Sequence, residues 1–473
     1  MKQIEGPLHL IGIGGIGMSG LARILLARGA RVSGSDVKDS RELDSLRALG
    51  AVIFVGHHPE HLERNILGQI KLVVISSAIR SSNQELIAAH QLGIPVITRA
   101  ELLAQLMSGY RGIAVAGTHG KTTTTSMLTV TMQHIGLDPS FAIGGSLNES
   151  GANAHQGSGD FFIAEADESD GSFLRYQPEI AIVTNIELDH LDYFKTLESL
   201  DEAFQNFVRT VQDAVIACSD DAGVRRLIAY FEAAKKRGSK FETYPKFITY
   251  GVNDAADLRI TAIERIGGGM EAELHWRGEP VGALRTGVPG VHNVLNAAAV
   301  ILVSLHLGLL FSEVADGVES YSGTRRRFEL RGTAGGVRVI DDYAHHPTEI
   351  RATIEAARQI AGTGRVVVLF QPHRYSRTKA FAVQFAEALT LADDVTVLEV
   401  YSAGEDPIPG TSGRVISAGI DQSGTRARFE PSFADAAANI AARCRRGDLL
   451  LTLGAGDITM LAPAILEALR ISG

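Results

Sequence analysis

The chain predicts an α/β fold built in three blocks, and three observations carry that reading. Short apolar strands alternate with helical stretches from end to end, the pattern of parallel sheets joined by crossover helices. Two glycine-rich loops each lie between an apolar strand and a helix. A length of 473 residues exceeds what one hydrophobic core serves, so several domains are expected.

The first block covers 1–108. Strands are expected at 8–13, 31–35, 52–55, 72–76 and 96–98. Helices fall between them, at 18–28 and at 40–49, the latter stopping at Gly50. The second block covers 109–323 and opens with an apolar strand at 112–116, a glycine turn and a helix. Further buried-type strands read at 161–166, 180–185, 214–217 and 248–250. From 258 to 284 short alternating runs, broken at Gly267-Gly268-Gly269 and Arg277-Gly278, predict antiparallel hairpins, and a helix follows at 292–306. The third block covers 324–473. It has strands at 337–340, 365–370, 395–400 and 449–453, with helices at 348–360, 379–391, 433–442 and 459–469. The Gly- and Pro-rich stretch 404–413 reads as a loop.

Composition removes several classes. A net charge of −9 gives no general attraction to nucleic acid or anionic lipid, so neither is expected as a partner. An anionic nucleotide needs a local basic or backbone N–H site instead. Cys218 and Cys444 are far apart and in no metal spacing, which argues against a disulfide scaffold or a cysteine zinc site. The N-terminal stretch lacks the pattern of a signal peptide, and no uncharged apolar run reaches a membrane span. A cytoplasmic location, as monomer or homodimer, is the expectation.

The first glycine loop is Gly12-Ile13-Gly14-Gly15-Ile16-Gly17, after a strand and at a helix start. Glycines there allow close backbone approach, and the helix N-terminus favours an anion. Asp36 ends the following strand, where an acidic residue often binds a ribose. Taken alone, this loop fits a dinucleotide fold and an NAD-dependent oxidoreductase. The second loop is Gly117-Thr118-His119-Gly120-Lys121-Thr122-Thr123. Its backbone amides suit phosphates, Lys121 reaches a terminal phosphate, and the Thr122 hydroxyl can ligate Mg²⁺. Val115 stands where the usual P-loop begins with glycine. Two loops point to two phosphorylated ligands: ATP at the second, a nucleotide-linked substrate at the first.

Mg²⁺ takes oxygen ligands beside the phosphates. The strand at 161–166 runs into Glu165-Ala166-Asp167-Glu168-Ser169-Asp170; Glu165 is the favoured ligand and Glu168 the alternative. The next strand ends in Asn185-Ile186-Glu187-Leu188-Asp189-His190, where His190 fits a second metal ligand. In the third block, strand ends carry Asp341-Asp342-Tyr343-Ala344-His345-His346-Pro347 and Gln371-Pro372-His373-Arg374-Tyr375-Ser376-Arg377. The two arginines suit a carboxylate or a transferring phosphoryl group. The His-His-Pro run equally fits a cap and turn at a helix start. The run Arg325-Arg326-Arg327 lies at the block junction, where one arginine can reach ATP.

HLIGIGGIGMSGLA with SGSD, AGTHGKTTTT, AEADESDGSF, TNIELDHLDYF, HNVLNAAA, DDYAHHPTEI and QPHRYSRT occur in this order and together resemble the Mur ligase family of peptidoglycan synthesis, over essentially the whole chain. The resemblance implies three α/β domains: a Rossmann-like UDP-binding domain, a central P-loop ATPase-like domain and a C-terminal Rossmann-like domain. It implies that Gly14, Gly15, Ile16, Gly17 and Met18, with Asp36, Ser76 and His119, hold a UDP-sugar and not NAD. Residues Gly117 to Thr123 would bind ATP, with Mg²⁺ (or Mn²⁺) on Thr122, Glu165 and His190. His292, Asn293, Asn296, Arg327 and Asp342 would contact the nucleotide. Tyr343, His345, Arg374 and Arg377 match the part that receives the amino acid and the acyl group, with His345 a candidate base. The implied reaction joins L-alanine to the lactyl carboxylate of UDP-N-acetylmuramate through an acyl phosphate, releasing ADP and phosphate. A sibling that adds a preformed peptide to the same sugar nucleotide shares nearly every motif; the GIGGIGMSG form of the first loop leans toward the alanine reaction.

Overall fold

The computed structural model describes residues 6–63, 66–76, 78–169, 171–189, 193–238 and 245–472. Its contacts group the chain into two compact units. The first takes the described residues of Met1–Ile186, Leu200–Arg259 and Ala299–Ser320, and the second those of Glu187–Ser199, Ile260–Ala298 and Tyr321–Gly473.

The first unit carries two sheets. In one, five parallel strands run in the spatial order Val52–Val55, Val32–Asp36, Leu8–Ile11, Leu72–Ile75, Val96–Thr98. Strand order reverses between Leu8–Ile11 and Leu72–Ile75. An open α/β sheet splays its crossovers apart at such a point and leaves a crevice at the carboxyl ends of the strands. The first glycine loop and Ser76 both follow strands that flank this crevice. The other sheet centres on Arg111–Ala116, with Phe161–Glu165 on one side and Ile180–Val183 on the other, all parallel. Ala214–Cys218 and Lys246–Gly251 extend it beyond Ile180–Val183. Its central strands are buried along nearly their whole length, which matches their continuous apolar sequences.

The second unit contains the expected antiparallel hairpin, Gly269–Trp276 with Glu279–Thr286. Its main sheet has six strands: Glu329–Ala334, Val337–Asp342, Leu449–Leu453, Val366–Phe370, Asp394–Leu398 and Arg426–Glu430 in spatial order, antiparallel only at the first pair. Alternate residues of one strand feed opposite faces. Val366, Val368 and Phe370 pack with Ile350, Ile354 and Phe385, whereas Val367 and Leu369 pack with Ile440, Leu461 and Ile465. Burying each such side chain contributes about 1.5–3 kcal/mol, so helices cover both faces. Three expectations change here. The stretch 379–391 is two helices, Tyr375–Ala380 and Ala382–Leu389, joined at Phe381, whose φ of −114° interrupts the helical path. The strand expected at 337–340 runs on to Asp342, and the loop expected at 404–413 gives its last residue to a further helix, Gly413–Gln422. Among the described residues no helix is long and apolar enough to cross a membrane.

Candidate active site

In the first unit the two phosphate loops take their shape from the strands before them. Gly12 and Ile13 donate from their amides to the Ser35 carbonyl, which turns the chain into the helix Ile16–Ala27. Asp36 Oδ2 accepts from the Gly14 amide at 2.9 Å and its Oδ1 from the Val37 amide at 2.8 Å. It therefore braces the loop. The second loop turns at Gly117, which has φ +130°; a Cβ there would lie 2.1 Å from Thr184 Oγ1, so only glycine fits. Thr184 and Asn185 hold the loop by donating to the His119 carbonyl, at 2.6 and 3.0 Å, and Asn185 Oδ1 accepts from the His119 amide at 2.8 Å. The helix Lys121–His134 then starts with its N-terminal amides at the loop.

Lys121 and Thr122 each meet an acid of the 165–170 cluster, and each takes a different one. Lys121 Nζ donates to both Glu168 oxygens, at 2.8 and 3.0 Å, and to the Gly117 carbonyl at 2.6 Å. Burial alone pushes this ammonium down, but the charges of Glu168, Asp167 and Glu165 together outweigh it, and Lys121 is held above its ordinary value. Thr122 Oγ1 donates to Glu165 at 3.0 and 3.1 Å, and the Gly144 amide donates to the same carboxylate at 2.8 Å. A hydroxyl and a carboxylate this close form a hard oxygen set, which fits a Mg²⁺ ion. Glu165 is thus the carboxylate beside Thr122, and Glu168 is the counter-ion of Lys121. His190 lies outside the described residues.

A cavity of about 270 Å³ joins the first loop to Glu165. Gly15, Ile16, Gly17, Met18 and Ser76 line it after the first sheet's strands, and Glu165 and Asp167 after the second's. Gly14, Asp36 and His119 are not in its lining. Two residues that the motifs did not single out are: Arg99 and Asn153, whose Nδ2 donates to the Ile16 carbonyl at 2.6 Å.

In the second unit Asp342 organises a different cluster. Its two carboxylate oxygens accept from the Phe328 and Ala344 amides, each at 2.7 Å. Burial raises it to about 6 against the opposing pull of Arg327. The Tyr343 ring carries Arg326 and Arg327 over its face, at 4.8 and 5.1 Å. His345 Nδ1 lies 3.1 Å from the Tyr343 carbonyl and 3.2 Å from Glu349. Burial pushes His345 down to about 3, His373 to about 4 and His292 to about 4, so all three rings are neutral at neutral pH. His346 realises the cap reading: it is the N-cap of Pro347–Ala361, in a capping box with Glu349. Asn293 and Asn296 are buried on the helix Val291–His306; the Asn293 amide donates to the Pro289 carbonyl at 2.7 Å and the Asn296 amide to Asn293 at 3.3 Å.

The two arginines part company. Arg377 is committed to Asp189, with contacts at 2.9, 3.0 and 3.1 Å and side chains only 6% and 5% exposed. Arg374 has φ +71°, a conformation that costs a non-glycine residue energy. The Tyr401 carbonyl accepts from its amide at 2.8 Å and holds it there. His373 stacks on the Tyr401 ring, 5.5 Å between centres.

Comparison with known proteins follows the same division. Residues 7–111 match the family described as "Mur ligase family, catalytic domain", residues 115–304 "Mur ligase middle domain", and residues 326–456 "Mur ligase, glutamate ligase domain". The UDP-N-acetylmuramate–L-alanine ligase of Saccharopolyspora erythraea is 51% identical, over 98% of this chain and 94% of its own length. The enzyme of the same name from Acidothermus cellulolyticus is 47% identical, over 98% and 95%. The crystal structure of UDP-N-acetylmuramate–alanine ligase from Thermotoga maritima superposes with a TM-score of 0.81 at 29% identity, covering 99% of this chain and all of that one.

Proposed function

The chain belongs to the Mur ligase family, and from that membership we propose that it joins L-alanine to the lactyl carboxylate of UDP-N-acetylmuramate at the expense of ATP, a step of peptidoglycan precursor synthesis. The observation that carries this reading is the position of Glu165. Its carboxylate touches Thr122 of the ATP-type loop and also lines the cavity that the first glycine loop opens. A sugar nucleotide in that cavity therefore presents its acyl end to the γ-phosphate of ATP.

The chemistry is two displacements. A lactyl carboxylate oxygen bonds to the γ-phosphorus as the bond to the β,γ-bridging oxygen breaks, giving an acyl phosphate and ADP. The alanine nitrogen, having lost a proton, then bonds to the carbonyl carbon, and phosphate leaves. The protein's part is positioning and charge neutralisation. Lys121 trades its Glu168 contact for phosphoryl oxygens, and the amides of the 117–123 loop hold the chain of phosphates. Thr122 and Glu165 would hold Mg²⁺, or Mn²⁺ in its place, which when bound offsets phosphoryl negative charge. We assign His292, Asn293, Asn296, Arg327 and Asp342 to the nucleotide, and Tyr343, His345 and Arg374 to the amino acid. With its proton affinity depressed, His345 serves as a hydrogen-bond acceptor for the amine and is too weak to keep its proton. Arg377, locked to Asp189, orients this region. The domain limits are 1–108, 109–323 and 324–473.

The acyl phosphate is tested by labelling the lactyl carboxylate with ¹⁸O. Transfer of one labelled oxygen into the released phosphate is expected. Release of unlabelled phosphate would rule the intermediate out.

A further inference from the structure

The cavity between the first glycine loop and Glu165 holds one cation. Among its lining residues Arg99 is the sole lysine or arginine, and Glu165 and Asp167 are its carboxylates. Among the described residues this guanidinium has no hydrogen-bond or ion-pair partner. It stands against Gly17: a Cβ built there would lie 3.1 Å from Arg99 Cδ, 3.4 Å from Nη1 and 3.5 Å from Nε. Its position on its own helix is also anomalous. Arg99 is the first residue of Arg99–Met107, where the helix dipole disfavours a cation. The helix does not need it there, because Thr98 and Glu101 form a complete capping box. Leu103, one turn on, lines the same cavity, so the helix presents this face to whatever fills it.

An unpaired guanidinium beside the N-terminus of Ile16–Ala27 makes a two-part anion site. We propose that Arg99 binds the diphosphate of the sugar nucleotide, completing the site that the backbone of the first glycine loop begins. This rests on the function proposed above. The diphosphate is favoured over the lactyl carboxylate because Arg99 touches Gly17 of the loop, whereas the acyl end must reach Glu165 and Thr122. A planar guanidinium can donate to two phosphate oxygens at once, which a lysine cannot reproduce.

The test is calorimetric titration of the full chain, wild type, Arg99→Met and Arg99→Lys, with UDP, with UDP-N-acetylglucosamine, which lacks the lactyl carboxylate, and with UDP-N-acetylmuramate. ATP is titrated in parallel as the control for folding. Arg99→Met is expected to weaken all three uridine ligands to the same extent, about tenfold or more, with Arg99→Lys in between and ATP affinity unchanged. Equal UDP affinity in wild type and Arg99→Met overturns the proposal while the function stands, including the case where only UDP-N-acetylmuramate weakens. A wild-type protein that binds ATP but none of the uridine ligands overturns the function and this proposal with it.

Discussion

Lys121 of the ATP-type loop lies 2.8 Å from Glu168, with both side chains buried. The cation that we assign to the ATP phosphates is therefore already neutralised by the protein itself. ATP must compete with Glu168 for it. Glu168→Gln removes the ion-pair partner of buried Lys121 and leaves it on the Gly117 and Thr118 carbonyls, a loss of at most about 3–5 kcal/mol by the general rule for buried pairs. Denaturant unfolding without nucleotide should show that loss. ATP should then stabilise the variant more than the wild type. Equal stabilisation of the two by ATP would mean that Glu168 does not guard Lys121.

Thr122→Ala deletes the hydroxyl that meets Glu165. The Mg²⁺ concentration for half-maximal ADP formation should rise about tenfold or more, with the KM for alanine unchanged. An unaltered Mg²⁺ titration would move the metal away from Thr122.

Asp189 and Arg377 make another buried ion pair. Arg377→Met alone takes the guanidinium away from a buried carboxylate and should destabilise the protein, by at most about 3–5 kcal/mol. Adding Asp189→Asn should restore most of that stability. Activity should stay low in the double variant if Arg377 orients the amino-acid region. Full recovery of kcat along with stability would make the pair purely structural.

Sequence motifs made much of this legible, and the failures have physical causes. The phosphate loops, the acid cluster and the central strands were readable because each is local: a glycine turn and an apolar run of few residues. Two of the missed strands, Glu329–Ala334 and Arg426–Glu430, are the two edges of the six-stranded sheet and are largely uncovered, so they carry no apolar run to read. Partner choice was invisible. Nothing in the spacing says that Lys121 takes Glu168 while Thr122 takes Glu165, or that Arg377 finds Asp189, 188 positions away in sequence. Arg99 left a faint trace, a cation opening a helix directly after a Thr-x-x-Glu cap begins.

Acid should unfold this protein early. His292, His345 and His373 have folded values depressed from 6.5 to about 4, 3 and 4. A depressed histidine contributes stability that is complete above its ordinary value and is lost as pH falls through the folded one. Glu85 adds to this: burial pushes it up, but His9, Ser35 and His61 outweigh burial and hold it at about 2. Its contribution is present above about pH 4.5 and fades as pH falls through 2. Denaturant midpoints should fall steadily from pH 7 to pH 4, and less steeply in His345→Gln. A flat profile over that range would contradict these environments.

The most direct measurement is ADP release with Mg²⁺, ATP and UDP-N-acetylmuramate, each amino acid being supplied singly and a preformed cell-wall tripeptide separately. ADP release that requires L-alanine, together with UDP-N-acetylmuramoyl-alanine seen by mass, is the predicted result. Release only with the tripeptide, or with no acceptor at all, would contradict the account.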